Sequence, residues 1–359
     1  MENTPVVSTI PKTLAEDLSE IADQEELAQL REKNILITGG GGFIAYYIAL
    51  SLLLANDRHG LHNHVVLLVR NEPRTRARYG ALLDRDDVSL LLQDVCEPLD
   101  EQARYDYIIH AASAADAKHF DEDPIAVFNS NVLGTESVLR YLKGGKCTSA
   151  VFISSFTVYG NTSQAKLVEE DFCGAEPWDN NRACYSYGKR SAEFLCMAAC
   201  RQHQCPVKIV RPGFVYGASG KNDTRVYAEI INCVAEKKPV TLQSAGHVYR
   251  SMIYVTDLVR GILDALFNGK DGNAYNVAGE HVSIRQFAEC AVRVANDPSV
   301  SLLFKNDSDR STPAPDAVFG KMSAEKLRAE CRWEPRVSLE RGISMAADIT
   351  SWKNTTATD

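Results

Sequence analysis

The sequence predicts an α/β fold in which a doubly wound parallel sheet carries a smaller C-terminal lobe. Three features point to it. Short apolar runs recur without polar alternation at Ile35–Thr38, Val65–Val69, Val88–Leu92, Tyr107–His110, Ala150–Ser154 and Lys208–Val210, with helical stretches between them. Strands with no polar face belong in a parallel sheet covered on both sides. The first run is followed at once by Gly39 to Gly42 and a long apolar helix, which is a strand, a turn and a helix. Beyond Arg211 proline and glycine become denser and the alternation turns irregular, marking the second lobe.

Taken in order, residues 13–31 place Leu14, Leu18, Ile21, Leu27 and Leu30 at near-helical spacing, and Thr13 to Glu16 is a capping-box pattern. An N-terminal helix follows. The expected division is a helical extension over 1–33, a dinucleotide-binding domain over 34–211 to which 250–280 returns, and a substrate-binding lobe from 212–249 and 281–353. Residues Asn354 to Asp359 read as a frayed tail.

Composition narrows the function. A chain of 359 residues with 45% hydrophobic content can build two cores, and its net charge of −8 gives no global attraction to nucleic acid or to an anionic membrane. An anionic substrate must therefore meet particular Arg or Lys side chains. The apolar segment 48–55 is far shorter than the roughly 20 residues that span a bilayer. The ten cysteines form no paired CxxC framework and the chain opens on a polar segment, so a reducing cytoplasm is expected. Cys196 and Cys200 lie one helical turn apart with Cys205 beyond, but no His or second Cys pair completes a tetrahedral set. They read as buried thiols, and no metal is expected.

Thr38 to Ala45 fits TGxxGxxG, with Gly39 and Gly42 in the first two places and Ala45 in the third. Between a strand and a helix this is a Rossmann-type dinucleotide site, since glycine admits a pyrophosphate to the backbone and the first helical N–H groups, at Phe43 and Ile44, face it. The second strand ends in Arg70–Asn71 where an acid would bind a ribose 2′-hydroxyl. A guanidinium suits a 2′-phosphate, and Arg74 and Arg76 add charge nearby, so NADP is favoured over NAD. The alternative, a solvated strand-end arginine, stays open. Asp94 and Val95 are placed to meet the adenine, and Ala111 and Ala112 after His110 supply small residues beside the cofactor.

Tyr185 and Lys189 stand four residues apart, on one face of a helix. A phenol near its ordinary pKa of about 10 is a poor base at neutral pH, but a neighbouring ammonium and a cationic nicotinamide favour phenolate. Ser155 ends the fifth apolar run and can hydrogen-bond a reacting sugar hydroxyl.

With these residues and Asn129–Thr135, Arg211–Gly217, Gly246–Asp257 and Ala274–Val277, the chain resembles the extended short-chain dehydrogenase/reductase family, in its NAD(P)-dependent nucleotide-sugar epimerase/dehydratase branch, over Lys33 to Trp352. The resemblance implies that Tyr185 is the catalytic acid/base, that Lys189 holds the nicotinamide ribose and lowers the tyrosine pKa, and that Ser155 assists at the sugar hydroxyl. It also implies that Arg250, with Arg225 as a second candidate, grips the diphosphate of a nucleotide-diphosphate sugar. Asn131 matches a buried asparagine supporting the site, and Phe214 stands where many members carry a substrate-touching Asn. A homodimer through the helices at 124–143 and 185–203 is implied in the same way.

The family's 4,6-dehydratases carry Asp and Glu three and two residues before the tyrosine matched by Tyr159, and its UDP-glucuronate decarboxylases keep the Glu. Here those places hold Phe156 and Thr157, neither of which transfers a proton near neutral pH. A 4-epimerase is therefore the expected activity. A dehydratase, a UDP-glucuronate decarboxylase with an acid recruited from Glu169, Cys173 or Cys184, a 4-keto reductase, and a non-catalytic dinucleotide sensor are the alternatives.

Overall fold

Strands buried on both faces need a helix on each side, and the chain supplies them by alternation. The computed structural model describes residues 3–113, 117–181, 183–220, 223–305 and 319–356. The first half runs α1 (Lys12–Ala22), β1 (Asn34–Thr38), α2 (Phe43–His59), β2 (His64–Val69), α3 (Glu72–Tyr79), β3 (Val88–Leu92), β4 (Tyr107–His110), α4 (Ala117–Glu122) and α5 (Pro124–Leu142). It continues with β5 (Ser149–Ile153), β6 (Leu167–Val168), α6 (Ala183–His203) and β7 (Val207–Pro212). The second half adds β8 (Phe214–Tyr216), α7 (Val226–Ala235), β9 (Val240–Leu242), β10 (Tyr249–Tyr254), α8 (Val255–Asn268) and β11 (Ala274–Val277). It ends with β12 (His281–Ser283), α9 (Ile284–Ala295), β13 (Leu302–Phe304), β14 (Lys321–Met322), α10 (Glu325–Cys331) and α11 (Leu339–Thr356).

Seven strands form one parallel sheet in the order β11-β7-β5-β4-β1-β2-β3. All six apolar runs of the sequence lie in it. The order reverses between β1 and β4, whose last residues, Thr38 and His110, are register partners. At such a switch point the loops leave in opposite directions and open a crevice beyond the carboxyl ends of the strands. Residues 250–254 differ from the expected return to this sheet. They pair in β10 with β8 and β12 in a separate three-stranded sheet, and only α8 and β11 come back to the larger one. β9 pairs with β13, and β6 with β14.

The N-terminal segment packs, though not as one helix. α1 ends at Ala22, a short 3₁₀ turn covers Glu25–Leu30, and Pro11 rather than Thr13 is the N-cap, so the capping box does not form. The fixed φ of Pro11 sets the start, leaving Thr13 inside the first turn. Leu14, Leu18, Ile21, Leu27 and Leu30 are all buried in the main core.

Asp17 is buried with them, accepting hydrogen bonds from the Tyr254 hydroxyl (2.7 Å) and the Thr256 hydroxyl (3.1 Å). Burial outweighs those bonds and raises its pKa to about 7. The folded state therefore binds a proton that the unfolded chain releases near pH 4. The sign follows: this stabilisation is complete below about pH 4 and is lost as pH rises to about 7. Asp17→Asn keeps an acceptor for Tyr254 and offers a donor to Thr256. Its thermal midpoint should exceed the parent's at pH 8, by the equivalent of roughly 2 to 4 kcal/mol, and converge with it near pH 4. A constant difference across that range would show that Asp17 does not titrate as stated.

Candidate active site

The crevice floor is built from two backbones in contact. Gly39 has φ +67°, and a Cβ there would lie 2.7 Å from Cα of Ala112 on the loop after β4, so only glycine fits. Gly42 caps α2 without a side-chain hydrogen bond, and the first N–H returned to the helix is that of Tyr46, to the Gly42 carbonyl (3.1 Å). The N–H groups of Phe43, Ile44 and Ala45 are thus left for an anion at the positive end of a 17-residue helix. This chemistry fits a dinucleotide pyrophosphate.

The neighbouring positions named for the adenosine end of a dinucleotide have these partners in the protein. Arg70, at the end of β2, is largely exposed and its nearest charge is Asp94, at 3.4 Å. Asp94 accepts the Cys96 N–H (2.9 Å), which with the Arg70 guanidinium holds its carboxyl below the usual range, so it serves its own turn and Arg70. Val95 is buried against α5, where a Cβ on Gly134 would stand 2.9 Å from its methyl. Ala111 is partly buried, and Ala112 lies against Gly39.

Tyr185 and Lys189 lie on α6, whose close packing on α5 is permitted by Gly188, with 3.2 Å between its ideal Cβ and Cβ of Asn131. The Ser155 hydroxyl, at the N-cap of the turn Phe156–Tyr159, accepts from Thr157 N (3.2 Å) and Thr157 Oγ1 (3.1 Å) and lies beside the Tyr185 phenol. Phe120 lies over the phenol ring with centroids 5.3 Å apart. Burial raises the Tyr185 pKa, opposed by the Ser155 hydrogen bond and the Arg225 charge. Lys189 lies one turn along the helix from Tyr185. Its ammonium is buried, donates to the Ile153 carbonyl (2.7 Å), lies 4.6 Å from the Phe152 ring centroid and 5.9 Å from that of Tyr185. Burial pulls its own pKa to about 7.

The two candidate phosphate-binding arginines differ. Arg225 is committed to Asp223 (Nε to Oδ1, 2.8 Å) and lies over the Tyr227 ring at 5.0 Å. Arg250 lies between Phe319 and Phe214, 3.9 and 4.7 Å from their centroids, and donates only to the Tyr249 carbonyl (3.0 Å). Among the described residues no carboxylate pairs with it. Burial without a counter-charge lowers its pKa to about 10, which leaves it ready for an anion. Phe156, Phe214 and Phe319 pack on one another beside it, giving this side an aromatic wall.

Asn131 is fully buried, accepting from Ser113 Oγ (2.9 Å) and donating to the Val127 carbonyl (2.8 Å). Glu169 and Cys173 line a groove of about 730 Å3 whose walls do not include Ser155 or Tyr185. Cys184 adjoins Tyr185 in sequence, and burial raises its thiol pKa. Among the described residues no His, Cys, Asp and Glu side chains cluster as a metal site. Sequence reasoning missed the cluster behind Tyr159: Arg211 holds Glu193 by two hydrogen bonds (2.9 and 2.7 Å) and donates to the Tyr159 hydroxyl (2.9 Å), which donates to Asn276 (2.6 Å). These four residues come from α6, β7, β11 and the turn after β5, so no local pattern joins them.

Residues 35–278 match the NAD dependent epimerase/dehydratase family. The chain belongs to this family. It is an enzyme of the extended short-chain dehydrogenase/reductase class, which leaves the reading as a non-catalytic sensor without support. It is similar to UDP-glucuronic acid decarboxylase 1 of Xenopus tropicalis, with 30% identity over 325 residues, 89% of this chain and 72% of that protein. The corresponding protein of Danio rerio is 29% identical over 324 residues, again 89% and 72%. Among solved structures, UDP-glucuronic acid 4-epimerase from Bacillus cereus in complex with UDP-glucuronic acid and NAD shares the fold, with TM-score 0.73, 23% identity and coverage of 89% of this chain and 99% of that one. A dTDP-glucose 4,6-dehydratase from Bacillus anthracis in complex with NAD does so too, with TM-score 0.72, 19% identity and coverage of 90% and 98%. No helix of the described residues is long and apolar enough to cross a membrane.

Proposed function

We propose that this enzyme is a 4-epimerase of a UDP-sugar, with Tyr185 as its acid/base. The observation that carries the reading is the convergence of Ser155 and Tyr185 on one point while Phe156 and Thr157 stand where the second acid and base of an elimination would be. The relatives' names support UDP as the nucleotide. In this reading Gly39, Gly42, Phe43 and Ile44 hold the cofactor pyrophosphate, Lys189 the nicotinamide ribose, and Arg250 the substrate diphosphate with Arg225 behind it. A nicotinamide dinucleotide held there would supply reversible hydride transfer at C4. Tyr185 would take the proton of the C4 hydroxyl and give it back, and Ser155 would orient that hydroxyl.

The finer assignments belong to the same reading. NADP is the preferred dinucleotide, because Arg70 ends β2 without an acid to read a 2′-hydroxyl and its 3.4 Å contact with Asp94 is loose and solvated. The exposed apolar side chains Ile125, Leu133 and Phe194 on α5 and α6 support a homodimer through those helices. Ten free cysteines support a reducing compartment, the cytoplasm.

A second reading, decarboxylation of UDP-glucuronate, is favoured by the names of the curated relatives. Oxidation at C4 of a hexuronate makes a β-keto acid, which can lose carbon dioxide to leave a C4–C5 enolate that must then be protonated at C5. Thr157 supplies no such proton.

Three measurements test these assignments. Tyr185→Phe removes only the transferable proton and should abolish turnover with dinucleotide affinity kept within about threefold, since a general acid/base contributes about 10²–10⁴-fold. Activity near the parent's would remove Tyr185 from its role. Product formed in deuterated water should carry no deuterium at C5, whereas a C5 label, a 6-deoxy-4-keto product or released carbon dioxide would replace the 4-epimerase reading by dehydration or decarboxylation. Arg70→Asp should turn the preference towards NAD by setting a carboxylate against the 2′-phosphate, read by titration with both dinucleotides. Equal affinity for NAD and NADP in the parent would deny Arg70 that part.

A further inference from the structure

His110 closes β4 at the switch point, fully buried, and both ring nitrogens are engaged: Nδ1 with Thr38 Oγ1 at 2.7 Å and Nε2 with Thr135 Oγ1 at 3.1 Å. The flanking bonds fix the direction of each proton. Thr135 donates to the Asn131 carbonyl (2.6 Å), so it accepts from Nε2. Thr38 accepts from the Ala112 N–H (3.1 Å), so its own proton goes to Nδ1. One directional chain therefore runs from the loop after β4, through the end of β1 and the imidazole, to α5.

We propose that His110 is a positioning residue for the dinucleotide: it ties the end of β1 to α5 across the switch point and thereby sets the width of the crevice that receives the cofactor. The loop it controls touches the cradle, because Ala112 is the residue against which Gly39 is pressed and Thr38 directly precedes Gly39. A second strut from the same loop, Ser113 Oγ to Asn131 Oδ1 (2.9 Å), ends on the same turn of α5. The chain works only with a neutral imidazole protonated on Nε2, since an imidazolium would leave the Thr38 proton with no acceptor. Burial, and after it the nearby Lys189 ammonium, hold the His110 pKa down to about 3, so the neutral form persists.

The inference rests on the placement of the dinucleotide at the glycine turn, and the experiment separates the two. Titration with NADP, NAD and UDP should show Thr38→Val binding its preferred dinucleotide about tenfold more weakly or worse, because a buried acceptor loses its donor, with UDP affinity within about twofold of the parent. His110→Phe should behave alike. Thr38→Ser, which restores the hydroxyl, should recover dinucleotide affinity to within about threefold, a rescue that a general loss of packing would not give. In the ¹⁵N spectrum of the ring-labelled parent, His110 should stay protonated on Nε2 alone from pH 5 to 9, a readout that needs no variant to fold. Unchanged dinucleotide affinity in Thr38→Val, or a His110 ring that titrates in that range or carries its proton on Nδ1, would overturn the role of His110 while leaving the cofactor site intact. A parent that binds neither NADP nor NAD would overturn both.

Discussion

The approach of Gly39 to Ala112, 2.7 Å between an ideal Cβ and a Cα, is the constraint around which the site is arranged. It exists because β1 and β4 are neighbours whose following loops diverge, so the two backbones touch once and then part. A side chain at position 39 would drive them apart and lift the first turn of α2 from the sheet. What the contact leaves is a narrow floor with open N–H groups on one side and small residues on the other. α5 and α6 stand at a distance set by Gly188 against Asn131, and α6 carries Tyr185 and Lys189.

Within this frame the site's cations are held in three different ways, and the differences bear on their tasks. Lys189 is buried on a backbone carbonyl and an aromatic face, with no carboxylate in hydrogen-bond contact, so burial dominates its ionisation. Arg225 is neutralised by Asp223, so it offers little net attraction to a diphosphate. Arg250 is caged by aromatic rings and lacks a carboxylate among the described residues. An anion arriving there recovers the charge–charge interaction that burial has withheld. The order of availability, Arg250 before Arg225, thus follows from what each is already bonded to.

The sheet was legible because its strands are apolar on both faces and no other element of that length carries such a pattern. That Tyr185 and Lys189 share one helix was legible for a local reason too, since they are one turn apart. What escaped the sequence was assembled over long distances. The Arg211–Glu193–Tyr159–Asn276 cluster draws on segments more than a hundred residues apart, and Phe319 joins Phe214 and Phe156 from just before β14. The hollow that Gly134 leaves in α5, filled by Val95, is another such long-range match. The N-terminal helix ends at Ala22, and Asp23, its C-cap, bonds Arg58 and His59 of α2, long-range partners that periodicity does not register.

The same distinction governs the chemistry. Ser155 is not a free hydroxyl waiting for a sugar, because two groups of Thr157 already donate to it. With its acceptor lone pairs engaged by Thr157, its own proton is left to face Tyr185, and Ser155 can act as a donor to a phenolate or to a sugar oxygen but not as a base. Thr157, spent on orienting Ser155, is equally withdrawn from the substrate, and Phe156 is turned into the aromatic wall with Phe214 and Phe319. The positions that would supply a second acid and base are therefore given over to orienting the first pair and to excluding water. Tyr185 is left as the group at this point of the site that can move a proton, and a reaction needing only one such group, with hydride leaving and returning at the same carbon, is the one these residues fit.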